Sequence, residues 1–312
     1  MRPLPDGFEI RSPAFDEVED VAEMLVAIDL ADIGTSESDA DLIRDQWSSP
    51  GFQPSVDAWV VTDPNRAIVA YGSVTPDGEG KIKSWGVVHH DHRGRGLGAA
   101  LLDRMEARAS ERLRGIPVSV LHTAVNDADA SAAALVQSRG FAYVRTFRHL
   151  QIDLAGPPPD PGEPPNGIAI RGIEPERDLR RVHAIFVEAF RHEWGYRAIP
   201  FDEWIEMEVK VPSFDPSLWL LATAADEAVG ALSGVVWGER GWVGELGVLA
   251  RWRGRGIASA LLRRAFATFA SRGLPRVMLN VDSQNSSGAV RLYERVGMRT
   301  ARAWDVYEKR VV

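Results

Sequence analysis

Two short segments rich in arginine and glycine carry the clearest chemical signal in the sequence. Asp91 begins DHRGRGLGAALL and Arg251 begins RWRGRGIASALL, 160 positions later in a chain of 312 residues. Each follows an apolar strand-like run and opens a run with helical spacing. A glycine-rich turn at a helix start leaves backbone N–H groups unpaired, and these bind phosphate together with the helix dipole. Because glycine permits close backbone approach and arginine adds positive charge, both segments indicate pyrophosphate binding.

Other phosphate-binding motifs fit these segments less well. Gly94, Gly96 and Ala99 match the dinucleotide-binding fingerprint G-x-G-x-x-A, which belongs to the first strand–turn–helix unit of its domain. Here the turn follows the fourth predicted strand, and Ser259 replaces the third small residue in the second copy. A P-loop needs Gly-Lys followed by Ser or Thr, which neither copy has. A solvated helix start is the alternative for a single copy.

The composition narrows the classes of partner and location. A net charge of −8 disfavours a protein that binds nucleic acid by neutralising phosphates. The absence of cysteine excludes disulfides, thiolate catalysis and Cys-ligated metal sites. No apolar run reaches the roughly 18–20 residues of a membrane span, and the start MRPLPDGFEI lacks the apolar part of a signal peptide. We therefore expect a soluble, cytoplasmic monomer or homodimer with no nucleic-acid or membrane partner.

A proline-rich segment divides the chain into two halves that repeat one order of elements. Six prolines within residues 155–167 are incompatible with a helix interior or a central strand. They predict an extended linker between a domain over 1–154 and a domain over 168–312. In both halves the hydrophobic spacing predicts the order β-α-α-β-β-β-α-β-α-β. A repeat of this length indicates duplication of a whole domain.

With this element order, the two turns resemble the acetyl-CoA motif R-x-x-G-x-[GA] of the GCN5-related N-acetyltransferase (GNAT) superfamily. The matching residues are Arg93, Gly96 and Gly98 in the first half and Arg253, Gly256 and Ala258 in the second. The segment from Asn285 to Met298 resembles the family too, and the chain is similar in length and tandem plan to the mycothiol synthase group. The resemblance implies an α/β (α+β) fold of two tandem GNAT domains, each a mixed, mostly antiparallel central sheet flanked by helices.

The resemblance also implies which residues hold acetyl-CoA, with no metal. Backbone N–H groups of the strand before the turn line the pantetheine arm, and the turn and helix start hold the pyrophosphate. In the second half these residues are Leu246, Gly247, Val248, Arg253, Gly254, Arg255, Gly256, Ile257 and Ala258, with Asn285 beyond them. In the first half they are Gly86, Val87, Val88, Arg93, Gly94, Arg95, Gly96, Leu97 and Gly98.

Catalysis is predicted in the second half. Family members commonly place a tyrosine near the sulfur as general acid, and by resemblance this residue is Tyr293. When Gly140 is aligned with Gly297, Val136 stands opposite Tyr293, and valine cannot donate a proton. The first domain is therefore predicted to be non-catalytic. Glu245 is the predicted base, because apolar neighbours in its strand would raise its pKa; a solvent-facing strand glutamate and a tyrosine that only packs its ring are the alternatives.

The acceptor is predicted to bind where the segment FRHEWGY follows a helical run. There His192 and Glu193 would grip an amine or hydroxyl, and Trp194 would form a wall. Asn280 and Trp242 complete the predicted substrate-binding set. By resemblance, Trp242 stands at the strand position where mycothiol synthases carry a glutamate that contacts the substrate. A helix end with an anchoring tryptophan is the alternative for the segment.

A histidine-rich segment, VVHHDHRG, precedes the first turn. His89, His90 and His92 suggest a metal cluster, but adjacent residues of a strand point to opposite faces. We therefore interpret them as a polar entry to the loop and expect no metal.

The predicted function is acetyl transfer from acetyl-CoA to the primary amine of a small molecule by direct attack. Two alternatives stay open at this point. One is a non-catalytic acyl-CoA-binding protein, and the other is a protein or peptide N-acetyltransferase.

Overall fold

The computed structural model contains two compact units. It describes residues 4–34, 36, 38–78, 80–154, 156, 159–285 and 288–311. Unit 1 comprises Met1–Thr146 and Arg302–Val312, and unit 2 comprises Phe147–Ala301. The predicted linker is described only in part, because residues 155, 157 and 158 lie outside these ranges. Within the ranges, no helix combines the length and the apolar character that crossing a membrane requires.

The first half of the chain forms the predicted series of elements, with one short helix added. The strands are β1 (Glu9–Arg11), β2 (Ala58–Thr62), β3 (Ile68–Pro76), β4 (Lys81–Val88), β5 (Val120–Asn126) and β6 (Ala142–Asp153). The helices are α1 (Val18–Ile33), α2 (Ala40–Ser48), α3 (Pro54–Asp57), α4 (Leu97–Arg112) and α5 (Ala130–Ser138). The four-residue α3 is the addition.

The second half repeats the series. Its strands are β7 (Ile168–Gly172), β8 (Leu220–Ala224), β9 (Glu227–Trp237), β10 (Arg240–Val248), β11 (Arg276–Asp282) and β12 (Arg299–Arg310). Its helices are α6 (Pro175–Phe190), α7 (Phe201–Glu208), α8 (Ile257–Ser271) and α9 (Ala289–Arg295). The periodic apolar residues of α6 are buried as their spacing predicts, with Val182, Ile185 and Phe186 at 0–2 % exposure.

Each unit has one mixed, mostly antiparallel sheet, which confirms the predicted fold class. In unit 1 the strand order is β1-β2-β3-β4-β5-β12, with β4 and β5 parallel and the other described pairs antiparallel. In unit 2 the order is β6-β11-β10-β9-β8-β7, with β10 and β11 parallel in the same way. The two sheets therefore repeat one topology.

The final strand of each half completes the sheet of the other unit. β12 pairs with β5, from Trp304 opposite Asn126 to Arg310 opposite Val120. The part of β6 from Phe147 onward pairs with β11. The packed units therefore differ from the sequence halves 1–154 and 168–312 by one strand each. Because the halves repeat one topology, each offers a hydrogen-bonding edge of the same kind, which allows a terminal strand to pair with the matching strand of the other copy.

Two glycines of β10 let helices approach the sheet of unit 2 closely. A Cβ atom on Gly241 would lie 2.6 Å from Cδ1 of Phe269 in α8. A Cβ atom on Gly247 would lie 3.0 Å from Cβ of Ala189 in α6. The end of α6 and the C-terminal part of α8 therefore lie close against this strand.

Candidate active site

The arginine-glycine turn of unit 2 has the geometry of an anion site. Gly254 and Gly256 adopt left-handed φ values of 76° and 82°, which favour glycine. Gly256 caps α8, and among the described residues no side chain caps the first N–H groups of that helix. Arg253 ties the turn down, because its Nε donates to the Val248 carbonyl at 3.1 Å and its Nη2 to the Ala189 carbonyl at 3.2 Å. The turn therefore presents unpaired N–H groups beside a fixed cation.

The parallel strands of unit 2 separate next to this turn. The register of β10 with β11 runs from Gly241 opposite Val277 to Val243 opposite Leu279. Beyond that point β10 contains a bulge, because its pairing with β9 shifts between Val243 and Leu246. Beyond the paired region, the ends of β10 and β11 line a cavity.

This cavity has a volume of about 640 Å³ and lies within unit 2. It brings together most of the second-half residues that the sequence assigned to the coenzyme, the acid and the acceptor. The predicted residues that line it are Leu246, Val248, Arg253, Gly254, Gly256, Ile257, Ala258, Asn285, Tyr293, Glu193, Trp194 and Asn280.

Two predicted coenzyme residues do not line the cavity in the described part of the chain. Gly247 is buried against α6 instead. The guanidinium of Arg255 lies 4.6 Å above the ring of Trp252, which does line the cavity. Arg255 therefore supports a wall residue.

Three further predicted residues, Glu245, His192 and Trp242, also lie outside the described cavity lining. His192 is exposed, and its Nε2 accepts a hydrogen bond from Arg191 at 2.9 Å. Trp242 packs edge-on against His149, with ring centroids 5.5 Å apart. The roles predicted for them stay predictions.

Tyr293 lies in α9 and is 9 % exposed. Burial, together with the nearby charge of Glu193, raises the pKa of Tyr293 to about 12. The Glu193 carboxylate is itself held in the cavity, because Oε2 accepts a hydrogen bond from Nδ2 of Asn285 at 2.9 Å. The phenol therefore keeps its proton at neutral pH beside a fixed carboxylate.

Glu245 lies at the bulge of β10. Its backbone N–H donates to Oγ of Ser233 at 2.8 Å. Burial, with the charge of Glu208 in α7 as the second cause, raises the pKa of Glu245 to about 8. Burial, with the charge of Glu245 as a further cause, also raises the pKa of Tyr196. A carboxyl that titrates near neutral pH is suited to accept protons.

The turn of unit 1 repeats the geometry of the turn in unit 2, with one change in charge. Gly94 and Gly96 have φ values of 76° and 84°, and Nε of Arg93 donates to the Val88 carbonyl at 3.2 Å. In contrast to Arg253, Arg93 forms an ion pair at 2.7 Å with a carboxylate, that of Asp32. The turn of unit 1 therefore offers less net positive charge to a phosphate.

The other coenzyme residues predicted in the first half follow the same plan. Gly86, Val87 and Val88 end β4, and Leu97 and Gly98 begin α4. The guanidinium of Arg95 donates to the Asp91 carbonyl at 3.3 Å. Val136, aligned with Tyr293, is buried in α5.

The histidine-rich segment of unit 1 forms a 3-10 turn over His90–His92. The strand geometry assumed in the sequence argument against a metal is wrong there, because the rings of His89 and His90 stack with centroids 4.0 Å apart. Their ring nitrogens and the Asp91 carboxylate lie within 4.8 Å of one another. The expectation of no metal stays a prediction.

Sequence reasoning missed about half of the cavity lining. Trp252 stands within the repeated segment, so its aromatic ring beside the phosphate turn was an available signal. Phe147 gave no such signal, because it belongs to the first half of the sequence and enters unit 2 through β6. The lining residues without a sequence prediction are Phe147, Ala189, Phe190, Trp252, Ser259, Val281, Asp282, Gly288, Ala289, Leu292 and Arg295.

Both halves match family models of one kind. The model described as the acetyltransferase (GNAT) family matches residues 179–298, and one described as an acetyltransferase (GNAT) domain matches residues 54–143. A mycothiol acetyltransferase of Streptomyces griseus subsp. griseus is 33 % identical over 218 residues, which are 69 % of this chain and 67 % of the relative. Another, from Clavibacter michiganensis subsp. michiganensis, is 34 % identical and covers 76 % of this chain and 75 % of its own.

Solved structures show the same architecture. A GCN5-related N-acetyltransferase from Sphaerobacter thermophilus superposes with a TM-score of 0.87 at 31 % identity, covering 99 % of this chain and 97 % of its own. A tandem GNAT protein from the clavulanic acid biosynthesis pathway has a TM-score of 0.73 at 17 % identity, over 97 % of this chain and 98 % of its own, which supports the fold alone. This chain belongs to the GNAT family of acetyltransferases, with one GNAT domain in each half.

Proposed function

We propose that the chain transfers an acetyl group from acetyl-CoA to the primary amine of a small molecule by direct attack on the thioester. The observation that carries this proposal is that one cavity within unit 2 joins the turn at Arg253–Gly256 to the buried phenol of Tyr293. The mycothiol acetyltransferases among the relatives support a small-molecule acceptor. The cytoplasm is the proposed location.

The residues of the cavity suit coenzyme A. The uncapped start of α8 and the fixed Arg253 would hold its pyrophosphate. The β10 residues Leu246 and Val248 border the opening where β10 and β11 separate, and they would line the pantetheine arm. The thioester would supply an activated acetyl group at the end of the cavity nearest Tyr293.

Two side chains would carry the proton chemistry. Glu245 lies outside the described cavity lining, so it would act through water. In its ionised form, which dominates above its pKa of about 8, it would take a proton from the acceptor ammonium and leave a nucleophilic amine. Tyr293, with a pKa of about 12, would stay protonated and donate toward the departing sulfur. Glu193, Trp194 and Asn280 would border the acceptor, with His192 and Trp242 as further candidates from the sequence.

Release of free CoA thiol across a panel of amines tests the proposal. The panel would contain a glucosaminyl-inositol cysteine conjugate blocked at its own thiol, aminoglycosides, polyamines, amino acids and peptides. Because the chain has no cysteine, the thiol signal reports the coenzyme alone. A strong response to one small amine is the expected result. Tight acetyl-CoA binding with no turnover would instead support the non-catalytic binding protein, and response to peptides alone would support a peptide acetyltransferase.

Substitution Tyr293→Phe then tests the acid. We expect kcat to fall about 10²-fold, which is the usual size of a general-acid contribution, while the Kd for acetyl-CoA stays unchanged. Tyr143→Phe is the matched control, because it removes the hydroxyl of an exposed tyrosine that is not part of the cavity lining. Equal kcat in Tyr293→Phe and wild type would refute the assignment.

A further inference from the structure

We propose that Glu193, held by Asn285 in the cavity of unit 2, carries a proton from the acceptor nitrogen to Tyr293 during acetyl transfer. The inference rests on the proposed function and adds a second carboxylate to it. Sequence reasoning had placed Glu193 in substrate binding, and the structure places both Glu193 and Tyr293 in the lining of one cavity.

The backbone and its neighbours fix the position of Glu193. Its N–H donates to the Phe190 carbonyl at 2.8 Å, and its own carbonyl accepts from the N–H of Tyr196 at 3.2 Å. The next residue, Trp194, packs against Phe147, with ring centroids 6.1 Å apart. With the 2.9 Å hydrogen bond from Asn285, these contacts direct the carboxylate into the cavity.

The other charged groups of the cavity have different tasks. Arg253 is committed to two backbone carbonyls at the phosphate turn. The carboxylate of Asp282 accepts the N–H of Gln284 at 2.8 Å and so shapes the turn after β11. Arg295 lines the cavity from the last turn of α9. Glu193 lines the same cavity as Tyr293, and its charge adds to burial in raising the pKa of Tyr293.

The chemistry of acetyl transfer requires two proton losses from an ammonium acceptor. Glu245 would take the first proton and release it to solvent. After the nitrogen attacks the thioester carbonyl, a C–N bond forms and the C–S bond breaks, and the nitrogen still carries one proton too many. Glu193 takes that proton while Tyr293 gives its own to the sulfur. Glu193 then returns its proton to the phenolate oxygen, so both residues end as they began and the thiol leaves protonated.

The variant Glu193→Gln removes the group that would accept a proton but keeps the size of the side chain. A glutamine oxygen still accepts the hydrogen bond from Asn285, so the loop is expected to keep its place. We expect kcat to fall about 10²-fold, with the Kd for acetyl-CoA within about twofold of wild type. The ultraviolet titration of Tyr293, read as the difference from Tyr293→Phe, should move to lower pH because the nearby negative charge is gone. Formate should restore part of the activity of Glu193→Ala.

The control is Glu188→Gln, which removes a glutamate of α6 that pairs with Arg191, the residue after the helix, and that is not part of the cavity lining. It should change neither rate nor titration. Full activity in Glu193→Gln alongside an inactive Tyr293→Phe would overturn the inference and leave the proposed function standing. Lost activity with no formate rescue and no shift in the tyrosine titration would assign Glu193 a structural role and overturn it as well. If the wild type acetylates no amine, the proposed function fails first.

Discussion

Replacement of Glu245 by glutamine is expected to stabilise the protein at alkaline pH. Burial, with the charge of Glu208 as second cause, raises the pKa of Glu245 from its ordinary 4.5 to about 8. The folded protein therefore keeps a proton on this carboxyl that the unfolded chain releases. Retention of this proton contributes to the free energy of unfolding. The contribution is fully present below pH 4.5, declines as the pH rises, and is lost above pH 8.

The size of the effect follows from the distance between the two pKa values. The displacement of about 3.5 corresponds to at most roughly 5 kcal/mol, at about 1.4 kcal/mol for each pKa unit. Relaxation and water entry around an ionised carboxylate reduce this figure, so we expect at least about 2 kcal/mol between pH 5 and pH 9.5. For units of this size that is a rise in Tm of roughly 4–8 °C relative to wild type.

Thermal unfolding measures the effect. The Tm difference between Glu245→Gln and wild type is determined at pH 5 and at pH 9.5, and the two differences are compared. Any packing cost of the glutamine amide enters equally at both pH values and cancels. Glu206→Gln is the control, because this exposed residue pairs with Lys210 at the surface of α7 and such pairs contribute less than about 1 kcal/mol. The same Tm difference between Glu245→Gln and wild type at both pH values would refute the raised pKa.

Two further predictions concern rate and coenzyme affinity. Glu208→Gln should lower the pH at which kcat/KM rises, because it removes a charge near Glu245. The midpoint should lie below 8 but above 4.5, since Glu245 stays buried. An unchanged midpoint in a pH–rate profile would contradict this. Arg253→Ala should weaken acetyl-CoA binding about tenfold or more in calorimetry, whereas Arg93→Ala should change it less than threefold, because Asp32 already neutralises Arg93. Equal losses in the two variants would show that both turns hold the coenzyme alike.

Local signals explain why so much of the fold was predictable. Apolar spacing along α6 and the glycines that open α8 are properties of neighbouring residues, so the sequence alone defines them. The same holds for the turn at Arg253, whose left-handed φ values at Gly254 and Gly256 require the residue type that stands there. The resemblance built on these residues identified the family, which the comparisons confirm.

The sequence did not predict which strand β6 and β12 pair with, because the two sheets have the same topology and each offers a matching strand. β6 and β12 carry ordinary strand patterns, and nothing local distinguishes pairing with the same half from pairing with the other. The exchange brings Phe147 into the cavity beside Trp194 and Asp282, which lie 47 and 135 residues further along the chain. Sequence separation of this kind hides such a contact from any local pattern.

The sequence by itself determined which residues were available for chemistry, namely the Arg-Gly turns, Tyr293 and the acidic residues near them. Their working relationships came from tertiary structure, because pKa values and hydrogen bonds depend on what surrounds a group in space. Burial in the folded unit and the charge of Glu208 in α7 together give Glu245 its pKa of about 8. The end of α6 places Glu193 against Asn285, at a sequence distance of 92 residues, and beside the buried phenol of Tyr293.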